Sequence, residues 1–370
     1  MKIGLVGTSL AKGGAERSMA ILSEMLAEAG FEVHTIILTD DISYSYAGRL
    51  FNLGILKGKS NDIFRRILRF RKFRKYLLQQ NFDFIIDHRP KNNFYRELYY
   101  QLILYRNLSL ISVVHSANQK LISKKHRIKF LRVFQFPIIN VAVSKHIEME
   151  VLRANGIKNT ITIHNAFDNN WSKSSRTLPA KLKGKTYILS YGRINDDVKD
   201  FSFLIDCFEH SRLWQKNIYL VILGDGIDKE KLKAYASNKQ GNVFIKFFPF
   251  TNEPFVYIEN AKFISLTSKF EGFPMVLIES LSLGTPVVAL DIKSGPNEII
   301  KNEYNGLLVS DRKKEDFTNA IRRMFFDEEL YDNCKKNSKV SVLQFSKKKI
   351  KSKWIELLIS EKKKNGSRFN

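Results

Sequence analysis

The feature that most constrains the fold is an alternation between short apolar runs and longer stretches with helical spacing. The apolar runs lie at 2–7, 32–38, 82–87, 109–115 and 139–144, and again at 186–192, 218–226, 242–248, 261–267 and 285–291. Helical spacing occurs between them, at about 15–29, 201–209, 229–237 and 274–283. Parallel strands need crossover helices, so this alternation predicts two successive parallel sheets of the doubly wound α/β class.

The chain length implies two domains, because a single core rarely grows beyond about 250–300 residues and the chain has 370. Residues 167–185 lack strong periodicity and contain lysine, serine, arginine and proline, so we place the boundary near residue 175. The expected domains are 1–175 and 176–345, followed by a C-terminal helix and basic tail at 346–370. Open parallel sheets bind ligands beyond the carboxyl ends of their strands, so we expect a deep cleft between the two sheets.

Cysteine usage and hydropathy favour a cytoplasmic protein. Cys207 and Cys334 are distant in sequence and lack metal-ligand spacing, so neither a disulfide nor a zinc site is predicted. The apolar start of the chain is too short for a signal peptide and is interpreted as the first strand. No run reaches the roughly 18 apolar residues of a membrane-spanning helix, so a soluble or peripheral protein is expected.

A strongly basic segment contributes to the formal net charge of +24. Residues 57–75 contain nine lysines and arginines and one acid, Asp62, while apolar residues recur at helical spacing from Ile63 to Leu77. The pattern predicts a basic amphipathic helix. It fits a solvated helix packed on its own domain, a membrane-surface helix or a nucleic-acid site, and charge alone does not choose among them.

Two glutamates form the most informative motif, in the segment EGFPMVLIESLSLGTPVVALD. Glu271 and Glu279 flank seven residues, and Pro274 suits the first turn of a helix because its missing amide hydrogen is not needed there. Glu279 would then lie on the helix and Glu271 on the loop before it. Carboxylates accept paired hydrogen bonds from vicinal hydroxyls, so Glu279 suits a ribose and Glu271 a sugar. The helix-start amides of Met275 and Val276 suit a phosphate.

Further candidates follow predicted strands. Arg193 ends a strand and Lys199 precedes a helix, which suits the two cations to a diphosphate leaving group. In the first half, Gly13 and Gly14 open a helix after the first strand, and His115 ends a later strand. A plain tight turn at the glycines and a structural role for the histidine are the alternatives.

Neither a metal site nor a bound cofactor is predicted. The histidines are scattered, no D-x-D sequence ends a strand, and Asp196 and Asp197 are adjacent rather than alternating. The G-x-G-x-x-G spacing of dinucleotide-binding loops is missing from both halves. We therefore expect the nucleotide to be a substrate and the chemistry to need no metal.

Together these motifs resemble glycosyltransferase family 4, which has the GT-B fold and a Glu-x7-Glu motif. The resemblance covers nearly the whole chain, from KIGLVGTSLAKGGAERSMAILSEML through VSK, IHNAFD, YGRINDDVK and LVILGDG to LGTPVVALDIKSGPNEIIKNEYNGLLV. It implies a retaining, metal-independent transfer of a hexose or N-acetylhexosamine from a nucleotide sugar, with UDP as the expected nucleotide. Bacterial members often build surface polysaccharides on polyprenyl diphosphate lipids at the inner membrane face. A glycan or lipid-linked acceptor and an anionic membrane surface are therefore the expected partners.

The resemblance also implies roles for the donor-binding residues. Glu279 would hold the donor ribose and Glu271 the transferred sugar. Arg193 and Lys199 would clamp the diphosphate, although they stand six positions apart where the family usually has five. The remaining donor-site residues, which shape the sugar pocket or donate backbone hydrogen bonds, would be Phe273, Pro274, Met275 and Val276.

In the first half, the resemblance implies that Gly13 and Gly14 approach the donor phosphates or the acceptor. His115 would lie near the reacting centre and hydrogen-bond the sugar, so His115, Glu271 and Glu279 form the expected catalytic set. Supporting positions at the helix start, the domain crossover and the nucleoside end would be Glu16, Arg17, Asn165 and Glu298.

Other functions compete with transfer. Paired carboxylates also occur in glycoside hydrolases, but the cations and the helix start fit a nucleotide diphosphate leaving group, which needs charge neutralisation rather than protonation. A basic nucleic-acid-binding protein is a second alternative, and no nucleic-acid-binding module is recognisable. A nucleotide-sugar phosphorylase or epimerase of the same fold is the third.

Overall fold

A computed structural model describes residues 1–57, 63–117, 127–168, 170–171 and 177–366. The chain divides into two compact units, Met1–Ala166 with Lys347–Asn370, and Phe167–Ser346. The predicted boundary near residue 175 lies outside the described residues. Each unit contains its own parallel sheet.

The first unit is built on seven parallel strands in the order β3-β2-β1-β4-β5-β6-β7. The strands are β1 (Lys2–Gly7), β2 (Glu32–Ile37), β3 (Arg49–Asn52), β4 (Phe84–Asp87), β5 (Leu110–Val114), β6 (Ile139–Ala142) and β7 (Thr160–Thr162). The helices are α1 (Gly14–Glu28), α2 (Ile63–Gln79), α3 (Phe94–Tyr99) and α4 (Arg127–Gln135), with π-helical segments at Tyr100–Leu104 and Ile147–Leu152. The strand order reverses between β1 and β4, so the sheet is doubly wound.

The second unit repeats this topology with six parallel strands in the order β10-β9-β8-β11-β12-β13. The strands are β8 (Tyr187–Tyr191), β9 (Tyr219–Leu223), β10 (Ile245–Phe248), β11 (Phe263–Leu266), β12 (Val287–Leu290) and β13 (Gly306–Val309). The helices are α5 (Asp196–Lys199), α6 (Phe201–Ser211), α7 (Lys229–Ser237), α8 (Phe255–Glu259), α9 (Met275–Leu283), α10 (Pro296–Ile299), α11 (Lys314–Phe326) and α12 (Glu328–Ser341). The order reverses between β8 and β11. Two doubly wound α/β units are therefore present, as predicted.

The last helix, α13 (Lys347–Gly366), belongs to the first unit and packs along α1. Its apolar side chains Trp354 and Leu358 are buried. Lys347 Nζ lies 2.9 Å from Oε2 of Glu24, which adds an ion pair at the start of the helix. The apolar side chains of the predicted C-terminal helix are thus covered by the first unit.

The central strands are mostly apolar and are buried along their whole length because both faces of a doubly wound sheet are covered. Every residue of β4, β5, β8, β11 and β12 is buried. None of the helices in the described ranges has the length and apolar character needed to cross a bilayer.

Candidate active site

The donor-site residues predicted in the second half gather where the strand order of the second sheet reverses. Arg193 follows β8, Glu271 follows β11, and Glu279 lies on α9 after the same loop. Open α/β sheets bind ligands at the carboxyl ends of the strands that flank such a reversal. The predicted residues therefore lie at the position where this fold forms a binding site.

Glu279 is held by a tyrosine that sequence reasoning missed. Its side chain is 2% exposed, and the hydroxyl of Tyr191, the last residue of β8, donates to Oε2 at 2.5 Å. A buried carboxylate needs such a donor, because an unpaired charge in the interior is costly. The only signal in the sequence was a tyrosine at the end of a predicted strand, which by itself does not indicate this contact.

Glu271 and Lys199 are brought together. Lys199 Nζ lies 2.6 Å from Oε1 of Glu271, and the hydroxyl of Ser268 donates to the same oxygen at 2.7 Å. Both charged side chains are largely buried. The six-position step from Arg193 therefore still delivers Lys199 to the loop that carries Glu271.

The turn that follows Lys199 is fixed to the end of β11. Asp200 has a left-handed backbone, with φ at +54°, and this conformation separates α5 from α6. The Thr267 hydroxyl contacts the carbonyl oxygens of Lys199 and Asp200 at 3.1 and 3.0 Å. Arg312, also missed from sequence, pairs with the Asp200 carboxylate and donates to the carbonyl of Ser268 at 2.7 Å. These contacts hold Lys199 in place.

The segments EGFP and SGPNEII pack against each other. The hydroxyl of Ser294 donates to the carbonyl of Gly272 at 2.8 Å. Gly295 has φ at +98°, and a Cβ atom there would overlap Cδ of Pro274, so only glycine allows this approach. Glu298 lies in the four-residue helix α10 directly after this contact.

The prediction that Pro274 occupies the first turn of the helix is wrong by one residue. Pro274 has ψ at 99°, an extended value, and the helix begins at Met275. The Pro274 carbonyl accepts the first helical hydrogen bond, from the amide of Leu277 at 3.0 Å. Met275 and Val276 thus occupy the first turn, where amide hydrogens have no acceptor within the helix. Phe273 is buried edge-on to Phe345, with ring centroids 5.2 Å apart.

Arg193 is an exposed residue on the loop after β8. The backbone of this loop is hydrogen-bonded to the segment LGDG at 223–226. The amide of Gly192 donates to the carbonyl of Leu223 at 3.0 Å, and the amide of Ile194 donates to that of Asp225 at 2.9 Å. A Cβ atom at Gly224 would overlap the carbonyl oxygen of Gly192. Glycine at position 224 therefore allows the backbone of LGDG to pack closely against the Arg193 loop.

In the first unit, Gly14 begins α1 and Gly13 is the N-cap residue before it, on the connection that leaves the carboxyl end of β1. A Cβ atom at Gly13 would meet Oε2 of Glu16, the flexible end of a side chain, so the carboxylate lies directly against this glycine. The Arg17 guanidinium lies 4.7 Å from the ring centre of Tyr44. The next residue ties α1 to the segment IHNAFD, because the hydroxyl of Ser18 donates to Oδ1 of the buried Asn165 at 2.7 Å.

His115 follows β5 and pairs with a second histidine that was not predicted. His115 Nε2 lies 3.0 Å from Nδ1 of His88, which follows the neighbouring strand β4. Burial, reinforced by the positive charge of Lys91, lowers the pKa of His115 to about 3. Burial, together with His115 itself, also holds the pKa of His88 well below its usual range. At neutral pH the pair is uncharged and is joined by a neutral hydrogen bond.

Comparison with known proteins identifies the family of this chain. Residues 12–171 match the family model described as Glycosyltransferase Family 4, and residues 173–341 match Glycosyl transferases group 1. A Campylobacter jejuni protein, named N-acetylgalactosamine-N,N'-diacetylbacillosaminyl-diphospho-undecaprenol 4-alpha-N-acetylgalactosaminyltransferase, is 29% identical over 97% of this chain and 99% of its own. The lipopolysaccharide 1,6-galactosyltransferase of Escherichia coli K12 is 32% identical over 46% of this chain and 47% of its own.

A solved structure supports the fold independently. The crystal structure of Anabaena HepE in complex with UDP and glucose is similar with a TM-score of 0.77 at 17% identity, over 97% of this chain and 100% of that one. At this identity the likeness shows the fold alone. It confirms the two-domain α/β architecture predicted from the sequence.

Proposed function

The chain belongs to glycosyltransferase family 4, and we propose that it is a retaining, metal-independent hexosyltransferase with a lipid-linked glycan as acceptor. Its donor in this proposal is a hexose or N-acetylhexosamine linked to UDP. The observation that carries the proposal is the set of contacts at the strand reversal of the second unit, where Lys199 pairs with Glu271 and Tyr191 at the end of β8 binds Glu279. Two oriented carboxylates beside a cation suit a sugar, a ribose and a diphosphate in one site.

In this proposal the donor breaks between the anomeric carbon of the sugar and the diphosphate oxygen. Lys199 and Arg193 stabilise the negative charge that develops on the departing nucleotide, as preorganised cations do in phosphoryl leaving-group sites. The acceptor hydroxyl attacks the same face of the sugar, and its proton passes to a phosphate oxygen of the donor. Glu271 orients the sugar hydroxyls, while Glu279, fixed by Tyr191, accepts from the ribose.

The names of two relatives support the lipid-linked acceptor. The Campylobacter protein that matches this chain nearly end to end acts, by its name, on a glycan carried on diphospho-undecaprenol. A second Campylobacter transferase, similar over 98% of this chain at 24% identity, is also named for an undecaprenol-linked substrate. We infer a role in bacterial surface polysaccharide synthesis, on the cytoplasmic face of the membrane.

The geometry of α2 supports the membrane surface as a partner. Its second half is anchored in the first unit by the fully buried Phe73 and Leu77. Residues 64–68 near its start are exposed, with Phe64 76%, Leu68 57% and Ile67 49% exposed. Ile67 belongs to the apolar stripe that the helical spacing predicts, and its exposure leaves that part of the stripe uncovered. Bulky apolar side chains among exposed arginines are typical of a helix that lies in a bilayer interface.

Transfer itself is tested with purified protein, a panel of nucleotide sugars and a short-chain polyprenyl diphosphate glycan, in EDTA. We expect a glycan product from one UDP sugar, with an anomeric configuration, read by NMR, that matches the donor. Nucleotide-sugar turnover without a glycan product would instead favour the phosphorylase or epimerase alternative. Inversion, or activity abolished by EDTA and restored by a divalent cation, would contradict the proposed mechanism.

Membrane binding is tested by sedimentation with anionic and neutral liposomes. We expect binding to anionic vesicles at low salt and release at high salt, because surface charge is screened over about 10 Å at 0.1 M. Phe64→Ser combined with Leu68→Ser, and Arg65→Glu combined with Arg66→Glu, should each weaken it. Reversal of two exposed lysines of the second unit, Lys231 and Lys246, changes net charge equally and is the control. An equal loss of liposome binding in the control would show that net charge alone causes the binding, and it would contradict a role for α2.

A further inference from the structure

A second histidine lies behind His115 in the first unit. His88 directly follows β4, and His115 directly follows the neighbouring strand β5. Nδ1 of His88 lies 3.0 Å from Nε2 of His115, and the two ring centres are 5.1 Å apart. The rings therefore meet just beyond the carboxyl ends of two adjacent strands, where open α/β sheets bind ligands.

His88 is enclosed by the protein. Its side chain belongs to a residue that is 4% exposed, and its backbone amide donates to the carbonyl of Val6 at 2.8 Å. Nε2 of the ring is buried and has no hydrogen-bond partner among the described residues. An unpaired polar atom in the interior costs about 1–3 kcal/mol. Stability alone therefore does not account for a histidine at this position.

His115, in contrast, is only partly buried. Its Nε2 is occupied by His88, while its Nδ1 reaches the protein surface and makes no hydrogen bond within the part of the chain that the structure describes. In a neutral imidazole one nitrogen donates and the other accepts. The hydrogen bond at Nε2 therefore decides whether Nδ1 offers a ligand a donor or an acceptor.

The charges around the two rings keep them neutral. Asp87 precedes His88 and would favour a protonated ring, but its carboxylate is already paired with Arg89 at 2.7 Å and with Lys91 at 3.0 Å. Burial, reinforced by the positive charge of Lys91, lowers the pKa of His115 to about 3. Near pH 7 His115 is thus a neutral hydrogen-bonding group, and its tautomer is the property left to be set.

We propose that His88 is a positioning residue for His115. By holding Nε2, it fixes the orientation and the tautomer of the His115 ring, so that Nδ1 is the nitrogen presented to the substrate. The inference rests on the proposed function, for which His115 is expected to hydrogen-bond the sugar. His88 is enclosed and acts only through His115.

The tautomer of His115 is read by ¹⁵N NMR of protein labelled at its seven histidines, with His115→Asn to identify its signals. We expect one protonated and one unprotonated nitrogen with widely separated shifts, as in a single neutral tautomer. Averaged shifts for the two nitrogens in the wild type would overturn the proposal, and this measurement needs no variant of His88.

Two amide substitutions separate positioning from packing. In His88→Asn the amide takes the place of Nδ1 and can donate or accept, whereas in His88→Gln the amide lies one bond further from the backbone. Both variants remove the same ring, so both should lose stability. His88→Asn should keep His115 in one tautomer, and His88→Gln should let it exchange between two. A wild-type spectrum of His115 in His88→Gln would contradict the role of His88.

Transfer kinetics with the same two variants test the consequence for the reaction. His88→Asn should keep kcat within about threefold of wild type, and His88→Gln should lower it about tenfold, the effect of one lost hydrogen bond. UDP affinity in calorimetry should be unchanged in both, because UDP carries no sugar. Equal kcat in the two variants would overturn the positioning role. If the spectra distinguish the variants as expected while the wild type transfers no sugar, the hold of His88 on His115 stands and the proposed function fails.

Discussion

The ammonium group of Lys199 lies 2.6 Å from Oε1 of Glu271, across the strand reversal of the second sheet. One residue ends the short helix α5 and the other follows β11, so the ion pair exists only because the fold brings these two loops together. In the proposed function, Lys199 is the cation for the leaving diphosphate and Glu271 is the carboxylate that binds the sugar. These two residues are accordingly the first to test by substitution.

Replacing Lys199 should impair the chemical step. In the proposed mechanism Lys199 stabilises the charge that develops on the leaving diphosphate, and loss of one such group lowers kcat by about 10²- to 10³-fold. Lys269→Met is the matched control, because this lysine lies in the same region but is 3.5 Å from Asp200 and more exposed. Steady-state kinetics measure both variants. A kcat for Lys199→Met within about threefold of wild type would contradict the assigned role.

Removing the Tyr191 hydroxyl should weaken nucleotide binding. Tyr191→Phe leaves Glu279 buried with one hydrogen bond fewer, which costs about 1–3 kcal/mol. Tyr187→Phe is the control on the same strand, since that hydroxyl donates to the carbonyl of Tyr257 at 2.6 Å. Both variants should lower the free energy of unfolding, and only Tyr191→Phe should reduce UDP affinity in calorimetry. Equal UDP affinity in the two variants would remove Tyr191 from the site.

The histidine pair should make the protein sensitive to acid. The pKa of His115 is lowered to about 3 by burial, so the unfolded chain takes up a proton near pH 6.5 while the folded chain stays neutral. The unfolded state then binds more protons between these values, and stability falls as pH drops below about 6.5, by up to about 1.4 kcal/mol per pH unit.

Denaturant unfolding at pH 7, 6 and 5 measures this dependence. His115→Asn should flatten the decline in unfolding free energy, whereas the same change at the exposed His210 should not. A wild-type slope retained in His115→Asn would show that other groups cause the acid sensitivity.

Glycine at position 224 should be required for stability of the second unit. Gly224 has φ at +154°, and an added Cβ would overlap the Gly192 carbonyl beneath the Arg193 loop. Gly224→Ala should therefore cost more than about 2 kcal/mol of unfolding free energy. Gly184→Ala is the control for backbone strain alone, because φ is +68° there and no atom lies within 4 Å of the added Cβ. Such strain should lower the free energy of unfolding by about 1–2 kcal/mol. Equal losses in thermal or denaturant unfolding would rule out the steric explanation.

The periodic pattern predicted the central strands well because they are buried on both faces. Strands β1, β8 and β12 lie within the apolar runs, and α7 has the predicted bounds. Strands β3, β7 and β13 were missed, since each is an edge strand with partly exposed residues and a weak apolar pattern. Edge strands depend on their single neighbour more than on their own sequence.

Only part of the candidate site could be predicted, because sequence patterns report local structure. Glu271, Glu279 and Lys199 belong to segments whose order along the chain places them at one sheet edge. The supporting contacts of Tyr191, Arg312 and His88 join residues 88, 112 and 27 positions from their partners. Contacts between such distant positions arise from tertiary folding, and no local pattern indicates them.

The donor site is the central claim, and thermal unfolding of the purified protein with UDP, GDP and ADP in EDTA tests it most directly. We expect UDP alone to raise Tm, because a ligand that binds only the folded state stabilises it by mass action. The increase should be lost in Glu279→Ala and kept in the control Glu315→Ala, an exposed acid on α11. If no nucleotide raises Tm, or if Glu279→Ala responds to UDP as wild type does, the assignment of the donor site to the second unit is wrong.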